Sequence, residues 1–312
     1  MSPSTLTSSI GPTCVSFTRL TTLGTIGKGS YGLITRVQDE DSGRVLVMKT
    51  MPRSTLWFDG ESLAMHELEA MHVIGKDWYP TILGAFVTEQ DVMLVMPYYA
   101  RGDIRSFIKS TSDGCVSQEL ARFWSAELIL AIHGIHKAGL IHRDIKPENI
   151  FIDDARHIVL ADFGVAHLFP DFPHSTETDL PLLFVTPSNP YRTSGVCGTP
   201  IYLPPEVCSG EEYSFGMDYY SMGMVVHELI TGTVPIDSAS KRARESRGPF
   251  VINLRPNAYA PQDLDEPGRE FLTWVCDHCF LRFVCANVHI IDSSPHAIRP
   301  PNGIRDESTS VL

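Results

Sequence analysis

His142-Arg143-Asp144-Ile145-Lys146-Pro147-Glu148-Asn149-Ile150, followed by Ala161-Asp162-Phe163-Gly164, is the most informative stretch of this chain. Asn149 stands five residues after Asp144, and Asp162 stands eighteen after it. That spacing suits phosphoryl transfer. One carboxylate can accept a hydroxyl proton while an amide oxygen and a second carboxylate hold magnesium against a triphosphate. Lys146, two residues beyond Asp144, places an ammonium where charge on a moving phosphoryl group needs neutralising. Asp-Phe-Gly alone is an ordinary turn tripeptide. Its order and distance behind the first motif carry the argument.

Upstream, Ile26-Gly27-Lys28-Gly29-Ser30-Tyr31-Gly32-Leu33-Ile34 contains Gly-x-Gly-x-x-Gly, a weak signal by itself because dinucleotide-binding folds share it. In those folds a helix should follow. Here Leu33-Ile34-Thr35-Arg36-Val37 is apolar and β-branched, and it ends in the turn Asp39-Glu40-Asp41-Ser42-Gly43, so a strand follows instead. The pattern predicts a strand–glycine loop–strand hairpin whose glycines let backbone amides approach phosphates. The next strand, Arg44 to Thr50, carries Lys49 within Val47-Met48-Lys49. Glycine loop, lysine strand and the two acidic loops, in this order, resemble the eukaryotic protein kinase family, serine/threonine type.

The resemblance implies an α+β, bilobal fold. It has a small β-rich N-lobe at residues 17–99 and a larger, mainly helical C-lobe at 100–280. It also implies ATP and Mg2+ as cofactors. Asp144 and Lys146 are the expected catalytic residues, and Asn149 and Asp162 the metal ligands. Ile26, Gly27, Lys28, Gly29, Gly32 and Ile34 would cover the nucleotide, with Lys49 on its phosphates. That lysine needs a carboxylate. Residues 61–74 show helical periodicity that puts Glu67 on the face of Leu63, Met71 and Ile74 and leaves Glu69 off it, so Glu67 is the expected brace. Met96-Pro97-Tyr98-Tyr99-Ala100-Arg101-Gly102-Asp103 is the implied hinge. There Met96 would gate the pocket and the backbone near Tyr99 would meet adenine. Asp103 would reach the ribose, although a helix cap accounts for it equally well.

Residues 165–197 are dense in Pro, Ser and Thr and correspond by resemblance to the activation loop. Cys197-Gly198-Thr199-Pro200 closes it, and Pro204-Pro205-Glu206 stands where the family usually has Ala-Pro-Glu. Gly-Thr-Pro together with Lys146 resembles the serine/threonine pattern. Some members of the family use a glutamate at the Glu148 position to read an arginine before the acceptor; a solvated side chain explains it too. Arg143 is expected to meet a loop phosphate at Thr193 or Ser194. Asp218 is expected to hold the backbone of the catalytic loop from inside a buried helix.

The clearest helix is 117–137, with Leu120, Phe123, Trp124, Leu128, Ala131, Ile132 and Ile135 recurring every three or four residues. His133 and His136 near its end are expected at the surface. Strands at 82–88 and 92–97 and a hairpin of 150–152 with 158–160 complete the pattern. The 312 residues are 43% hydrophobic and carry a formal net charge of -12. That balance disfavours a nucleic-acid partner, which would demand a basic face. It fits a cationic partner such as a basic peptide, although most acidic proteins are simply soluble; a protein substrate with a Ser or Thr acceptor is what the resemblance implies. Seven scattered cysteines, the lone pair Cys276-x-x-Cys279 included, form neither a disulfide framework nor a zinc site. With no signal peptide and no membrane-spanning run, the expected compartment is cytoplasmic or nuclear. The oligomeric state is left open.

Residues 1–16 are expected to be a loose tail and 268–280 a helix. Beyond 280 the resemblance lapses. Neither Arg282 nor Arg299 matches the arginine that should pair with Glu206, and 281–312 reads as an atypical, disordered or truncated ending. The functional expectation is ATP-dependent phosphorylation of Ser/Thr hydroxyls on proteins. A catalytically silent scaffold of the same fold is the alternative. A small-molecule kinase is opposed by the complete glycine loop and the Gly-Thr-Pro to Pro-Pro-Glu segment.

Overall fold

Burial alternates along residues 32–39, and the strands between residues 20 and 97 join in an antiparallel sheet with an apolar cluster on each face. The computed structural model describes residues 8–9, 14–29, 32–54, 63–74, 77–169, 171–172 and 189–234. The chain divides into two units, residues 1–100 with 162–166, and residues 101–161 with 167–312.

The first unit contains β1 (Ser8–Ser9), β2 (Leu20–Gly29), β3 (Gly32–Asp39), β4 (Val45–Pro52), helix α1 (Leu63–Val73), β5 (Gly84–Val87) and β6 (Asp91–Pro97). These strands form one six-stranded sheet in the order β1-β5-β6-β4-β3-β2. Val37, Leu46, Phe86, Met93 and Val95 pack on one face. Met51, Ala85, Val92 and Leu94 pack on the other, against Leu68 of α1. Side chains two apart on a strand share a face, so Lys49 lies with Met51 on the α1 side. The predicted glycine-loop hairpin is β2–β3, with Gly27 opposite Ile34 and Gly29 opposite Gly32. Ile34 in turn lies opposite Lys49 of β4.

The expected loose segment 1–16 differs at its far end. Ser8–Ser9 pair with β5, Cys14 N donates to Leu83 O at 2.6 Å, and Val15 is buried in the cluster of Phe86 and Met93. Polar composition hid this: among the described residues, one valine and Phe17, whose ring centroid lies 5.2 Å from that of Phe86, anchor the segment on the sheet. Gly84 leaves room for it: a Cβ there would fall 2.9 Å from Val15 Cγ2.

The second unit contains α2 (Ile104–Ser110), α3 (Gln118–Lys137), β7 (Leu140–Ile141), β8 (Ile150–Ile152), β9 (Ile158–Leu160), β10 (His167–Leu168), α4 (Pro205–Cys208) and α5 (Gly216–Thr231). Ser117 caps α3 by accepting from Leu120 N at 3.3 Å, which satisfies one of the orphan N–H groups of the first turn. All seven apolar positions predicted for the α3 core are buried. Trp124 also donates to Arg156 O at 3.0 Å, fastening the β8–β9 turn. Helix α5 is buried on nearly every side and stops at Gly232, φ 71°.

The surface position expected for His136 is corrected. It is 1% exposed, its ring lies against those of Phe215 and Tyr219, and it faces α5 because the apolar stripe of α3 is wider than the sequence suggests. Several sequence expectations lie outside the described residues. They are the 268–280 helix, Arg282, Arg299, and the cysteine pair at 276 and 279. Among the described residues no helix is long and apolar enough to cross a membrane.

Candidate active site

Strand β4 and helix α1 bring the first group together. Lys49 Nζ donates to Glu67 Oε1 and Oε2 at 2.8 and 2.7 Å and to Asp162 Oδ1 at 2.8 Å. Lys49 and Glu67 are buried, whereas the Asp162 side chain is 37% exposed. Burial works against the Lys49 ammonium, but the carboxylates of Glu67 and Asp162 more than offset it and hold the lysine protonated. Glu69 is exposed, and Glu67, on the helical face predicted to turn inward, is the glutamate that Lys49 bonds. Asp162 itself has φ 66°, a left-handed backbone that non-glycine residues adopt at some cost.

Ile34 reaches this group through its register with Lys49. Gly27 is half-buried while Ile26 and Lys28 are exposed on the same strand. Met96 packs partly buried against Met51 and Leu94, and Tyr99 is half-buried beyond the end of β6.

The second group stands on the loop between β7 and β8. Asp144 Oδ2 accepts from Lys146 Nζ at 2.7 Å and from Asn149 Nδ2 at 3.1 Å. Its Oδ1 accepts from Thr199 Oγ1 at 2.7 Å, and Lys146 Nζ also reaches Thr199 Oγ1 at 2.8 Å. Asp144, Lys146 and Thr199 thus close a triangle. Asn149 donates again to Asp144 O at 2.8 Å, which leaves its amide oxygen as the acceptor end. Thr199 was legible only as part of Gly-Thr-Pro; its contact with Asp144 was not anticipated. Gly198 before it has φ 93°, and a Cβ there would fall 2.2 Å from Arg143 O, so only glycine brings Thr199 this close to the loop.

The loop is held from behind. Asp218, wholly buried in α5, accepts from His142 N at 2.8 Å, Arg143 N at 2.9 Å and His136 Nε2 at 2.8 Å. Arg143 has φ 66°, and these bonds fix that strained backbone. His142 Nε2 donates to Ala161 O at 3.1 Å while its Nδ1 accepts from Asp144 N at 3.3 Å, which sets the tautomer. Arg143 is buried, and its Nη1 donates to Tyr213 Oη at 3.2 Å. Thr193 pairs through its backbone with Tyr213. Asp103 caps α2, accepting from Ser106 N at 2.7 Å and Ser106 Oγ at 3.1 Å. It also bridges to Phe151 of β8. Glu148 is not simply solvated, since it accepts from Arg105 Nε at 2.8 Å.

Across known proteins, residues 20–282 match the protein kinase domain. The chain belongs to the protein kinase family. It is similar to the serine/threonine-protein kinase CBK1 of Pneumocystis carinii, 31% identical over 275 residues, covering 78% of this chain and 53% of that protein. It is 33% identical over 224 residues to the serine/threonine-protein kinase MRCK gamma of Homo sapiens, covering 70% and 13% of the two. With the serine/threonine-protein kinase ppk35 of Schizosaccharomyces pombe it shares 30% identity over 236 residues, covering 69% and 38%. The chain therefore spans between 13% and 53% of the length of these kinases. The α+β kinase fold expected from the motifs is the one observed, and the family's reaction uses ATP.

Proposed function

We propose that this chain is a serine/threonine protein kinase, transferring the terminal phosphoryl group of ATP to Ser or Thr hydroxyls of protein substrates. The Asp144 carboxylate, held on both oxygens by Lys146, Asn149 and Thr199, carries the reading. Three donors fix the orientation of that carboxylate through both oxygens, as a group positioned to accept a hydroxyl proton requires. The Lys146 ammonium stabilises charge on the transferring group.

In the first unit, Lys49 engages the phosphates while Glu67 braces it. Gly27, Gly29 and Gly32 let the hairpin backbone approach them, with Ile26, Lys28 and Ile34 around the nucleotide. Met96 and the backbone at Tyr99 serve adenine. For the ribose Asp103 must share a carboxylate already used as a cap. The donor set suits magnesium: the Asp162 carboxylate and the Asn149 amide oxygen are hard oxygen ligands. Magnesium, when bound, neutralises phosphate charge. The names of the relatives support serine/threonine acceptors. Scattered cysteines support a reducing compartment, cytosol or nucleus.

The test is transfer from radiolabelled ATP to a panel of Ser/Thr proteins and peptides, run beside Asp144→Asn. Magnesium-dependent transfer that the variant loses is the expected result. Equal labelling by wild type and Asp144→Asn, or none by either, overturns the reading and leaves a silent scaffold.

A further inference from the structure

Arg105, in the first turn of α2, fans its guanidinium across three other elements. Nε donates to Glu148 Oε1 at 2.8 Å. Nη1 donates to Glu228 Oε1, and Nη2 to Glu228 Oε2 at 3.1 Å and to Tyr202 Oη. Tyr202 Oη donates in turn to Glu228 Oε2 at 2.8 Å. Glu228 belongs to α5, and Tyr202 to the 3-10 turn Pro200–Tyr202 that follows Thr199. The Glu228 side chain is only 7% exposed, Arg105 is 20% and Glu148 is 44%.

The position of this cluster gives it meaning. Glu148 sits in the turn Pro147–Asn149, four residues after Asp144, and Tyr202 three residues after Thr199, which touches Asp144. Two carboxylates converging on one planar fork make a guanidinium site. Placed beside the loop to which an acceptor hydroxyl must come, such a pair would otherwise take an arginine of the acceptor segment. Here the chain supplies the guanidinium itself.

We infer that Arg105 is a specificity determinant: its side chain closes the Glu148–Glu228 pair to arginines of the substrate, so acceptor segments are chosen without a basic residue at that place. This rests on the kinase reading above. An incoming arginine must displace a guanidinium already tethered at high effective concentration and bonded by both terminal nitrogens to a nearly buried carboxylate. The -12 net charge therefore does not translate into a demand for basic acceptors at this point.

The experiment compares kcat/KM for paired acceptor peptides carrying arginine or its neutral isostere citrulline at each position flanking the acceptor. Wild type is expected to treat each pair within about threefold. In Arg105→Ala the arginine peptide gains about tenfold at one position, through KM rather than kcat. That is the 1.4 kcal/mol scale of one charge-assisted hydrogen bond. Added methylguanidinium should erase the gain and raise the melting temperature of the variant, whereas methylammonium should do neither. A merely structural Arg105 would lower stability and leave the ratio flat. Should Arg105→Ala not fold, Arg105→Gln, which keeps the aliphatic stem and removes both terminal nitrogens that hold Glu228, is read in the same way. A wild-type preference for arginine above about tenfold, or an unchanged ratio with no methylguanidinium-specific shift in the variant, overturns the proposal. Failure of the kinase reading shows separately, as absent transfer to every peptide, and the melting-temperature arm still reports on the pair.

Discussion

Lys49 donates to both carboxylate oxygens of Glu67, at 2.8 and 2.7 Å, and the two residues meet where neither is open to water. Removing one member of a buried pair leaves the other uncompensated and costs about 3–5 kcal/mol. Lys49→Met is therefore expected to lose both phosphoryl transfer and stability. The double variant Lys49→Met/Glu67→Gln should recover the melting temperature but not the activity. If Lys49→Met melts like wild type, the pair contributes nothing to the fold.

Thr199 bonds Asp144 Oδ1 and accepts from Lys146 Nζ. Thr199→Ser keeps the hydroxyl and is expected to retain activity within a few-fold. Thr199→Val keeps the shape but removes the donor, and kcat should fall about tenfold to a hundredfold with KM for ATP little changed. Equal rates for the valine and serine variants would remove Thr199 from the site.

Asp218 accepts two backbone N–H groups and one imidazole N–H. Asn in its place offers one acceptor oxygen and turns an amide N–H2 toward donors. At least one buried backbone N–H is then left unmet, at about 1–3 kcal/mol. The left-handed backbone of Arg143 also loses part of its support. Asp218→Asn should fold, show faster amide exchange at 142–144, and turn over at least about tenfold more slowly. Protected amides with a slow rate would separate chemistry from loop placement.

Burial pushes the Glu127 carboxyl up to about 7, against hydrogen bonds from His157 and from Ile158 N. A carboxyl whose folded pKa exceeds its unfolded value binds more protons in the native state. Its stabilising contribution is full below the usual 4.5 and is lost as pH rises through about 7. Glu127→Gln, which can donate to His157 and accept from Ile158 N, should match wild type near pH 5. At pH 8 it should be the more stable by up to about 3 kcal/mol. Denaturant titrations at the two pH values check this, and a gap that widens toward acid contradicts it.

The sequence displays what short-range spacing encodes. Asp144, Lys146 and Asn149 are close neighbours in the chain, and the β2–β3 and β8–β9 hairpins follow from apolar, largely β-branched runs broken by turn residues. Glu67 was legible because one helical face distinguishes it from Glu69. The supports behind the loop were legible only in part. Asp218 was assigned by resemblance, but its bond to His136 spans 82 positions, and two histidines near a helix end look like surface residues. Arg105 and Glu228 are 123 positions apart, so no local pattern joins them. Thr199 illustrates the middle case, a residue conspicuous in its motif whose partner lies 55 positions away.

Val15 and Phe17 precede residue 20, where similarity to the kinase family begins, yet they lie on the sheet beside Phe86 and Leu83. A domain boundary placed where family likeness starts would therefore cut through the hydrophobic core. A fragment begun at Leu20 would lose one buried valine and a packed phenylalanine, on the order of 1.5–3 kcal/mol for each when fully buried. It would also bare one face of β5 to water. In this chain the unit that folds begins earlier than the unit that is recognisable.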